Sequence, residues 1–154
     1  MKTDKINNDI LVNGISASDC LLLFLYISHF DKIISKYSTT NNKKEFNAII
    51  PDKTINLVPQ TNVVQHINET ISNRIYCTKT RNKPVSFLTH LRNAIAHGGL
   101  VNSNGEISIN DKIVRKNKKG DTIDFITAIG NYNKKSIIEI IKLMLNKIDV
   151  DTEI

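Results

Sequence analysis

Cysteine is scarce in this sequence, and the two that occur, Cys20 and Cys77, lie far apart. They form no CxxC pair or Cys/His cluster, and no HExxH motif is present. These absences exclude a recognisable zinc site and a disulfide framework as the basis of the fold. We therefore interpret both cysteines as reduced packing residues, and we expect neither a metal nor a cofactor.

Long hydrophobic runs are also missing. The longest, residues 20–27, is far too short to span a bilayer. Charged residues interrupt the N-terminus, where a signal peptide would need an apolar segment: Lys2, Asp4, Lys5 and Asp9. We therefore expect a cytoplasmic protein that does not contact the membrane.

Aromatic residues are few, at 6%, and tryptophan is absent. The sequence therefore predicts no aromatic-rich surface for stacking nucleic-acid bases, and sequence-specific recognition of RNA would be hard to supply. The formal charge, by contrast, is +6. Such a surplus favours anionic partners such as nucleic acid, although it also serves solubility.

The basic residues that could contact RNA phosphates fall into two groups. The first, Lys79, Arg81 and Lys83, precedes a helix that is predicted to begin near Pro84. The second is denser and lies in a predicted loop: Arg115, Lys116, Lys118 and Lys119. We predict RNA contact for both groups, and the alternative for each is a merely solvated charge run.

The chain length of 154 residues indicates a single domain, residues 1–154, that can bury a core without disulfides or metal. A capping signal at Ser16 predicts a helix over residues 16–37, apolar almost all round and hence central to the core. Residues 38–61 contain two prolines and predict a loop, with room for a short strand or turn. Apolar residues at helical spacing then predict a second helix ending near Thr78: Val64, Ile67, Ile71 and Ile75.

A third helix begins near Pro84 and ends at Gly98. The turn-rich residues 102–105 predict a β-hairpin after it, and residues 122–128 predict a third strand beside that hairpin. A last amphipathic helix follows from the spacing of Ile137, Ile141, Met144 and Ile148. The chain is thus predicted to be mainly α, with about four helices and a β-hairpin or three-stranded sheet before the last one.

The third helix divides cleanly into two faces at about 100° per residue. Its apolar arc contains Phe87, Leu88, Leu91, Ala94 and Ile95, and is predicted to face the core. Its polar arc contains Arg92, Ala96, Thr89, Asn93, His97 and His90. Asn93 and His97 are an i,i+4 pair that can touch. Arg92 and His97 lie roughly 140° apart, so one helix would struggle to aim both at one phosphate.

The segment LRNAIAHG closely resembles the signature of the HEPN superfamily (higher eukaryotes and prokaryotes nucleotide-binding domains), in which an Arg and a polar residue precede a His. Arg92, Asn93 and His97 occupy these places. The segment is similar to small prokaryotic members linked to toxin–antitoxin and phage-defence systems. The resemblance implies a HEPN-like helical bundle, usually a homodimer. It also implies a metal-independent endoribonuclease, with an antitoxin as a possible partner.

The chemistry of the three residues agrees with this expectation. A neutral His97 can take the proton of a ribose 2′-hydroxyl or donate one to the leaving 5′-oxygen. Arg92 can stabilise charge on the phosphorane oxygens, and Asn93 can orient His97 or hold a phosphate oxygen. Such transesterification leaves a 2′,3′-cyclic phosphate and a 5′-hydroxyl. We expect His90 to be a solvated or packing residue.

Three alternatives stay open. A HEPN-fold protein without cleavage activity could bind RNA or nucleotides beside a nucleotidyltransferase-like partner. A helical interaction protein could carry the motif incidentally. Arg92 and His97 could also serve only as a surface ion-pair residue and a helix-end residue.

Overall fold

A five-stranded mixed sheet organises this protein. The computed structural model describes residues 11–39, 43–68 and 72–152. Within these ranges, strands β1 (Leu11–Val12) and β2 (Ile15–Ser16) pair with each other. The sheet consists of β3 (Ile55–Leu57), β4 (Arg74–Cys77), β5 (Leu100–Ser103), β6 (Glu106–Lys116) and β7 (Thr122–Asn133). Its order is β3-β4-β7-β6-β5, and β3 and β4 form its parallel pair.

Six α-helices occur in the described part of the chain: α1 (Ala17–Ser28), α2 (Phe30–Thr39), α3 (Lys43–Ile49), α4 (Gln60–Val63), α5 (Lys83–Ala96) and α6 (Lys134–Lys147). Two short 3₁₀ turns also occur: Asp52–Thr54 immediately before β3, and Val64–His66 immediately after α4. None of these helices is long and apolar enough to cross a membrane.

The predicted mainly α architecture, a HEPN-like helical bundle, is wrong. The hairpin and third strand exist as β5, β6 and β7, but β4 and β3 extend them into a larger sheet. The predicted helix over residues 64–78 accounts for much of the error, since β4 lies in its second half. Ile75 and Cys77 are fully buried there, whereas their neighbours are only half-buried. This alternation is the two-residue period of a strand. Ile71 lies outside the described residues.

The predicted helix over residues 16–37 is two helices, because α1 ends at a C-cap on His29. Its start is confirmed, since Ser16 accepts a hydrogen bond from the backbone N–H of Asp19. The expectation that this helix is apolar almost all round and buried in the core is partly wrong. Leu22, Leu23 and Tyr26 are buried, but Leu21 and Phe24 are 44% and 63% exposed.

Strands β6 and β7 stay paired with each other beyond the point where their other neighbours in the sheet end. Pairing of β5 with β6 ends at Ile109, and pairing of β4 with β7 ends at Ala128. Beyond a bulge at Asp111/Lys112, residues 112–126 form a two-stranded ribbon, which we call the β-arm. Arg115 and Lys116 therefore belong to a strand rather than to the predicted loop.

The main core lies between the sheet and the long helices α1, α5 and α6. Phe87 on α5 joins two buried rings edge to face, with centroid distances of 5.9 Å to Phe46 and 5.3 Å to Tyr132. The Tyr26 hydroxyl on α1 donates to the Leu88 carbonyl at 2.6 Å. Helix α5 is thus held by apolar contacts on one side and by a buried hydrogen bond toward α1.

Candidate functional site

Helix α5 has well-defined ends. Asn82 is its N-cap, and the Asn82 side-chain oxygen accepts from Val85 N at 2.9 Å. Pro84 lies in the first turn, where its missing N–H costs nothing. At the other end, Gly98 has φ +74° and ends the helix as predicted. A Cβ on Gly99 would overlap the carbonyl oxygen of Asn110, so the two glycines are needed for different reasons.

The predicted core face of α5 is largely confirmed. Phe87, Leu88, Leu91 and Ala94 are fully buried, and Ile95 packs partly against the core. The predicted polar face is wrong in one respect. His90 is only 3% exposed and belongs to the interior. Arg92, Asn93 and Thr89 are half-buried, whereas Ala96 and His97 are exposed.

Both ring nitrogens of His90 are engaged. Its Nδ1 lies 2.8 Å from Asp111 Oδ2, and its Nε2 lies 2.8 Å from the Thr78 carbonyl oxygen. The Thr78 hydroxyl also lies 3.2 Å from Nε2, so the Thr78 backbone and side chain both face this nitrogen, and the Asp111 carboxyl group faces the other. His90 therefore has no free nitrogen with which to accept a substrate proton. Of the two expected roles, solvated or packing, the burial of His90 excludes the solvated one.

Asp111 connects this buried histidine to the motif residues. Its Oδ2 also accepts a hydrogen bond from Asn93 Nδ2 at 3.2 Å, and Asn93 Oδ1 accepts from Arg92 Nη1 at 3.2 Å. The result is an unbroken chain of hydrogen bonds, His90–Asp111–Asn93–Arg92, which we call the Asp111 chain. It fixes the Asn93 amide and draws the Arg92 guanidinium over it.

Arg92 has two further neighbours from other helices. Its guanidinium carbon lies 5.9 Å from the centre of the Phe30 ring, within the range of a cation–π contact. Tyr26 is fully buried, which raises the pKa of its hydroxyl well above the usual value, and the nearby positive charge of Arg92 opposes this. The arginine is thus held at the junction of α1, α2 and α5.

His97 occupies a different position from Arg92. It is the C-cap of α5, and its backbone N–H donates to the carbonyl of Asn93 at 3.0 Å. Its ring is exposed and makes no hydrogen bond to any side chain in the described ranges. The structure thus brings Arg92 and Asn93 together, and it leaves His97 one turn beyond Asn93 with no hydrogen bond to the Arg92 side chain.

Asp111 was not identified from the sequence, although a signal was present. It follows Ile107 and Ile109 at the same two-residue spacing, so it occupies the next inward-facing position of β6. Its cross-strand partner is the small Ala128, which leaves space for the carboxylate. A charge at such a position needs a buried partner, and His90 supplies it.

Cys77 lies close to this carboxylate. Burial, with a smaller contribution from the negative charge of Asp111, raises the pKa of its thiol to about 12. Burial also raises the pKa of the Cys20 thiol. Both cysteines are free, as expected. Their thiols are therefore protonated at neutral pH and poorly nucleophilic.

The predicted RNA-contacting residues lie in two surface regions. Lys79 and Arg81 are exposed between β4 and α5, whereas Lys83 forms an ion pair with Asp52 at 3.1 Å. The second group lies at the end of the β-arm, and all its members are exposed: Arg115, Lys116, Lys118 and Lys119. Thr78, the residue before Lys79, lines the same cavity as Arg115, so the two regions adjoin.

Among the described residues, no group of three His, Cys, Asp or Glu side chains is arranged to hold a metal ion. Comparison of the chain with protein-family models, with curated proteins and with solved structures finds no match.

Proposed function

We propose that this protein is a cytoplasmic, metal-independent endoribonuclease in which Arg92, Asn93 and His97 carry the reaction. The observation that supports it most is the Asp111 chain, which orients Arg92 and Asn93 on the helix that ends at the exposed His97. The resemblance to the HEPN signature supports the same residues. Because the sheet departs from a helical bundle, the proposal rests on this helix and its contacts rather than on the fold.

The reaction follows from the properties of each side chain. The exposed imidazole of His97 takes a proton from the ribose 2′-hydroxyl, whose oxygen then attacks the adjacent phosphorus. The bond from phosphorus to the 5′-oxygen breaks, and the imidazolium gives its proton to that leaving oxygen, so the products are a 2′,3′-cyclic phosphate and a 5′-hydroxyl. Arg92 stabilises the negative charge on the phosphorane, which is the type of interaction that contributes most in many enzymes. A preoriented guanidinium loses less freedom on binding than a mobile one, and the bond from Arg92 to Asn93 supplies that orientation. Asn93 is fixed by its hydrogen bonds to Arg92 and Asp111, and its remaining amide N–H holds a phosphate oxygen.

The separation of Arg92 from His97 within the chain leads to a second part of the proposal. We propose that two copies form a homodimer, in which the arginine of one chain lies beside the histidine of the other. The small side chain of Ala96, exposed between them on α5, permits a close approach of two such helices. A two-fold axis would then create two equivalent composite sites.

The direct test of the chemistry is cleavage of RNA by the purified protein in excess EDTA. We expect His97→Ala to lower kcat/KM by about 10²–10⁴. We expect Arg92→Ala to lower it by about 10²–10³, with partial recovery in Arg92→Lys, which keeps the charge but not the planar donors. His29→Ala is the matched control, because His29 is also a helix C-cap. Full activity in His97→Ala would refute the role of that residue.

Mixed dimers test the composite site. Arg92→Ala and His97→Ala chains with different affinity tags would be co-expressed, and the mixed dimer would be purified on both tags. One intact pairing remains across its interface, so activity should return to about half that of the wild type. Confirmed dimers that show no gain over either parent would contradict a site shared between chains.

The biological setting follows from the resemblance and from the reaction. An unspecific ribonuclease is harmful to its own cell, and the related HEPN proteins serve as toxins or phage-defence effectors. We therefore propose such a role, with an antitoxin or a nucleotidyltransferase-like protein as the partner. Induced expression should arrest growth in the wild type and not in His97→Ala. RNA binding without cleavage in EDTA would instead identify a non-catalytic RNA-binding subunit.

A further inference from the structure

A cavity of about 320 Å³ lies between the β-arm, helix α4 and the residue that follows β4. Its volume is at the lower end of the range for small-molecule sites. Six residues line it: Gln60, Thr78, Ile113, Arg115, Phe125 and Thr127. None of them belongs to the proposed catalytic residues, and only Arg115 was predicted to bind RNA.

The cavity combines an apolar wall with polar groups. Phe125 and Ile113 are cross-strand partners on the β-arm and are only half-buried. No other aromatic ring in the described ranges stacks on Phe125. Arg115 is exposed and forms no ion pair with a described carboxylate. A half-buried ring next to an exposed arginine can stack a nucleobase and pair with its phosphate.

The same cavity adjoins the Asp111 chain. The Thr78 carbonyl accepts from His90, and the Thr127 hydroxyl donates to the backbone carbonyl of Asp111 at 3.1 Å. Two residues of the cavity wall thus hold the buried end of the chain whose other end is Arg92.

We propose that the cavity binds one nucleotide of single-stranded RNA, an inference that rests on the proposed function and adds a substrate subsite to it. The base stacks on Phe125 and the phosphate pairs with Arg115. The hydroxyl of Thr78 and the amide of Gln60 supply hydrogen bonds at the edge of the base. Such a site would supply one stacking ring on a chain whose composition predicts no aromatic-rich surface.

The absence of tryptophan allows a direct measurement. A Phe125→Trp substitution in a His97→Ala background introduces a single tryptophan and leaves bound RNA uncut. We expect its fluorescence to be quenched by an RNA tetranucleotide and, more weakly, by a nucleoside 5′-monophosphate. Tighter binding of the tetranucleotide than of the monophosphate supports a site for a nucleotide within RNA. Equal affinity for the two would contradict this and indicate a site for a free nucleotide. Equal quenching by inorganic phosphate, or no quenching, would overturn the proposal.

Two substitutions test the two contacts separately in the same His97→Ala background, by fluorescence anisotropy of labelled RNA. Phe125→Leu should weaken binding about tenfold, because it removes the stacking face. Phe24→Leu, which changes another exposed phenylalanine, is its control. Arg115→Gln should reduce the slope of log Kd against log salt by about one, whereas the exposed Lys142→Gln should leave it unchanged. Equal effects of the test and control variants would refute the subsite.

These measurements record binding alone, so they separate this inference from the proposed function. If RNA quenches the tryptophan but the wild type cuts no RNA, the subsite stands and the nuclease proposal fails. If the wild type cuts RNA and the Phe125 variants bind it normally, the nuclease proposal stands and the subsite fails.

Discussion

Removing the carboxylate of Asp111 should destabilise the fold strongly, although a sequence-based view would class it as one polar strand residue among several. The side chain is 2% exposed and is 2.8 Å from His90 Nδ1, whose own side chain is 4% exposed. Asp111→Ala leaves a buried imidazole N–H and the Asn93 amide without their acceptor. Breaking a buried pair from one side costs about 3–5 kcal/mol.

Asp111→Asn should cost much less. Both donors, His90 Nδ1 and Asn93 Nδ2, converge on the single oxygen Oδ2, and an amide oxygen can replace it. We expect a loss of about 1–2 kcal/mol, the scale of a weakened hydrogen bond. Asp124→Ala is the matched control on the same sheet. Its carboxylate is 55% exposed and pairs with Lys112 at 3.8 Å, so its loss should cost under about 1 kcal/mol.

Urea unfolding monitored by circular dichroism gives the loss of unfolding free energy in each of the three variants. A double-mutant cycle of Asp111→Ala with His90→Ala then isolates the interaction between the two side chains. The coupling between the two sites should be about 1–3 kcal/mol. If Asp111→Ala is too unstable to purify, Asp111→Asn is compared directly with Asp124→Ala, and a cost no larger than that of the control would contradict the account. A cost for Asp111→Ala no larger than for Asp124→Ala, or strictly additive substitutions, would refute the buried network.

Three further predictions concern the surroundings of the site. Gly98→Ala should lower the free energy of unfolding by about 1–2 kcal/mol, because a side chain is strained at φ +74°. Gly99→Ala should lower it further, because its Cβ overlaps the Asn110 carbonyl oxygen. Thermal unfolding that ranks the two variants in the reverse order would contradict this. Asn82→Ala should cost about 0.5–2 kcal/mol in the same assay through loss of the N-cap. The pKa of the Cys77 thiol rises from 9.0 to about 12 on folding, so its contribution to stability is complete below pH 9 and is lost as the pH rises toward 12. Urea titrations should therefore show a shallower alkaline loss in Cys77→Ala than in the wild type, and identical pH slopes would contradict this account.

The parts of the molecule that the sequence predicts well are those with local signals. Helix α5 has an Asn cap, a proline in its first turn and a glycine that takes a left-handed conformation, and each signal acts within a few residues. The hairpin of β5 and β6 is similar, because Asn104 and Gly105 both adopt the positive φ that its turn requires.

The errors arise where tertiary contacts override the local pattern. Ile67, Ile71 and Ile75 recur every four residues, which favours a helix. The segment of Ile75 nevertheless pairs with two strands, so Ile75 is buried in a sheet rather than on a helix face. Parallel pairing of β3 with β4 joins residues twenty positions apart, such as Ile55 and Ile75, and local periodicity carries no information about it.

The site shows the same division. Arg92, Asn93 and His97 were found because their spacing on one helix is a property of the sequence. Asp111 belongs to a strand, and its proximity to His90 depends on how β6 packs against α5. On a helical wheel His90 is adjacent to His97, yet one is buried and the other exposed. Only the position of the neighbouring strand decides between them.

The central claim is the transfer of the phosphate to the ribose 2′-oxygen by Arg92 and His97, and analysis of the product ends tests it most directly. A short RNA and the same oligomer with one 2′-deoxynucleotide at the cleaved position would be incubated with wild-type protein in excess EDTA. We predict a 2′,3′-cyclic phosphate and a 5′-hydroxyl from the RNA, no cut at the deoxy position, and neither product with His97→Ala. Products with a 5′-phosphate, cleavage at the deoxy position, or uncut RNA would contradict the claim.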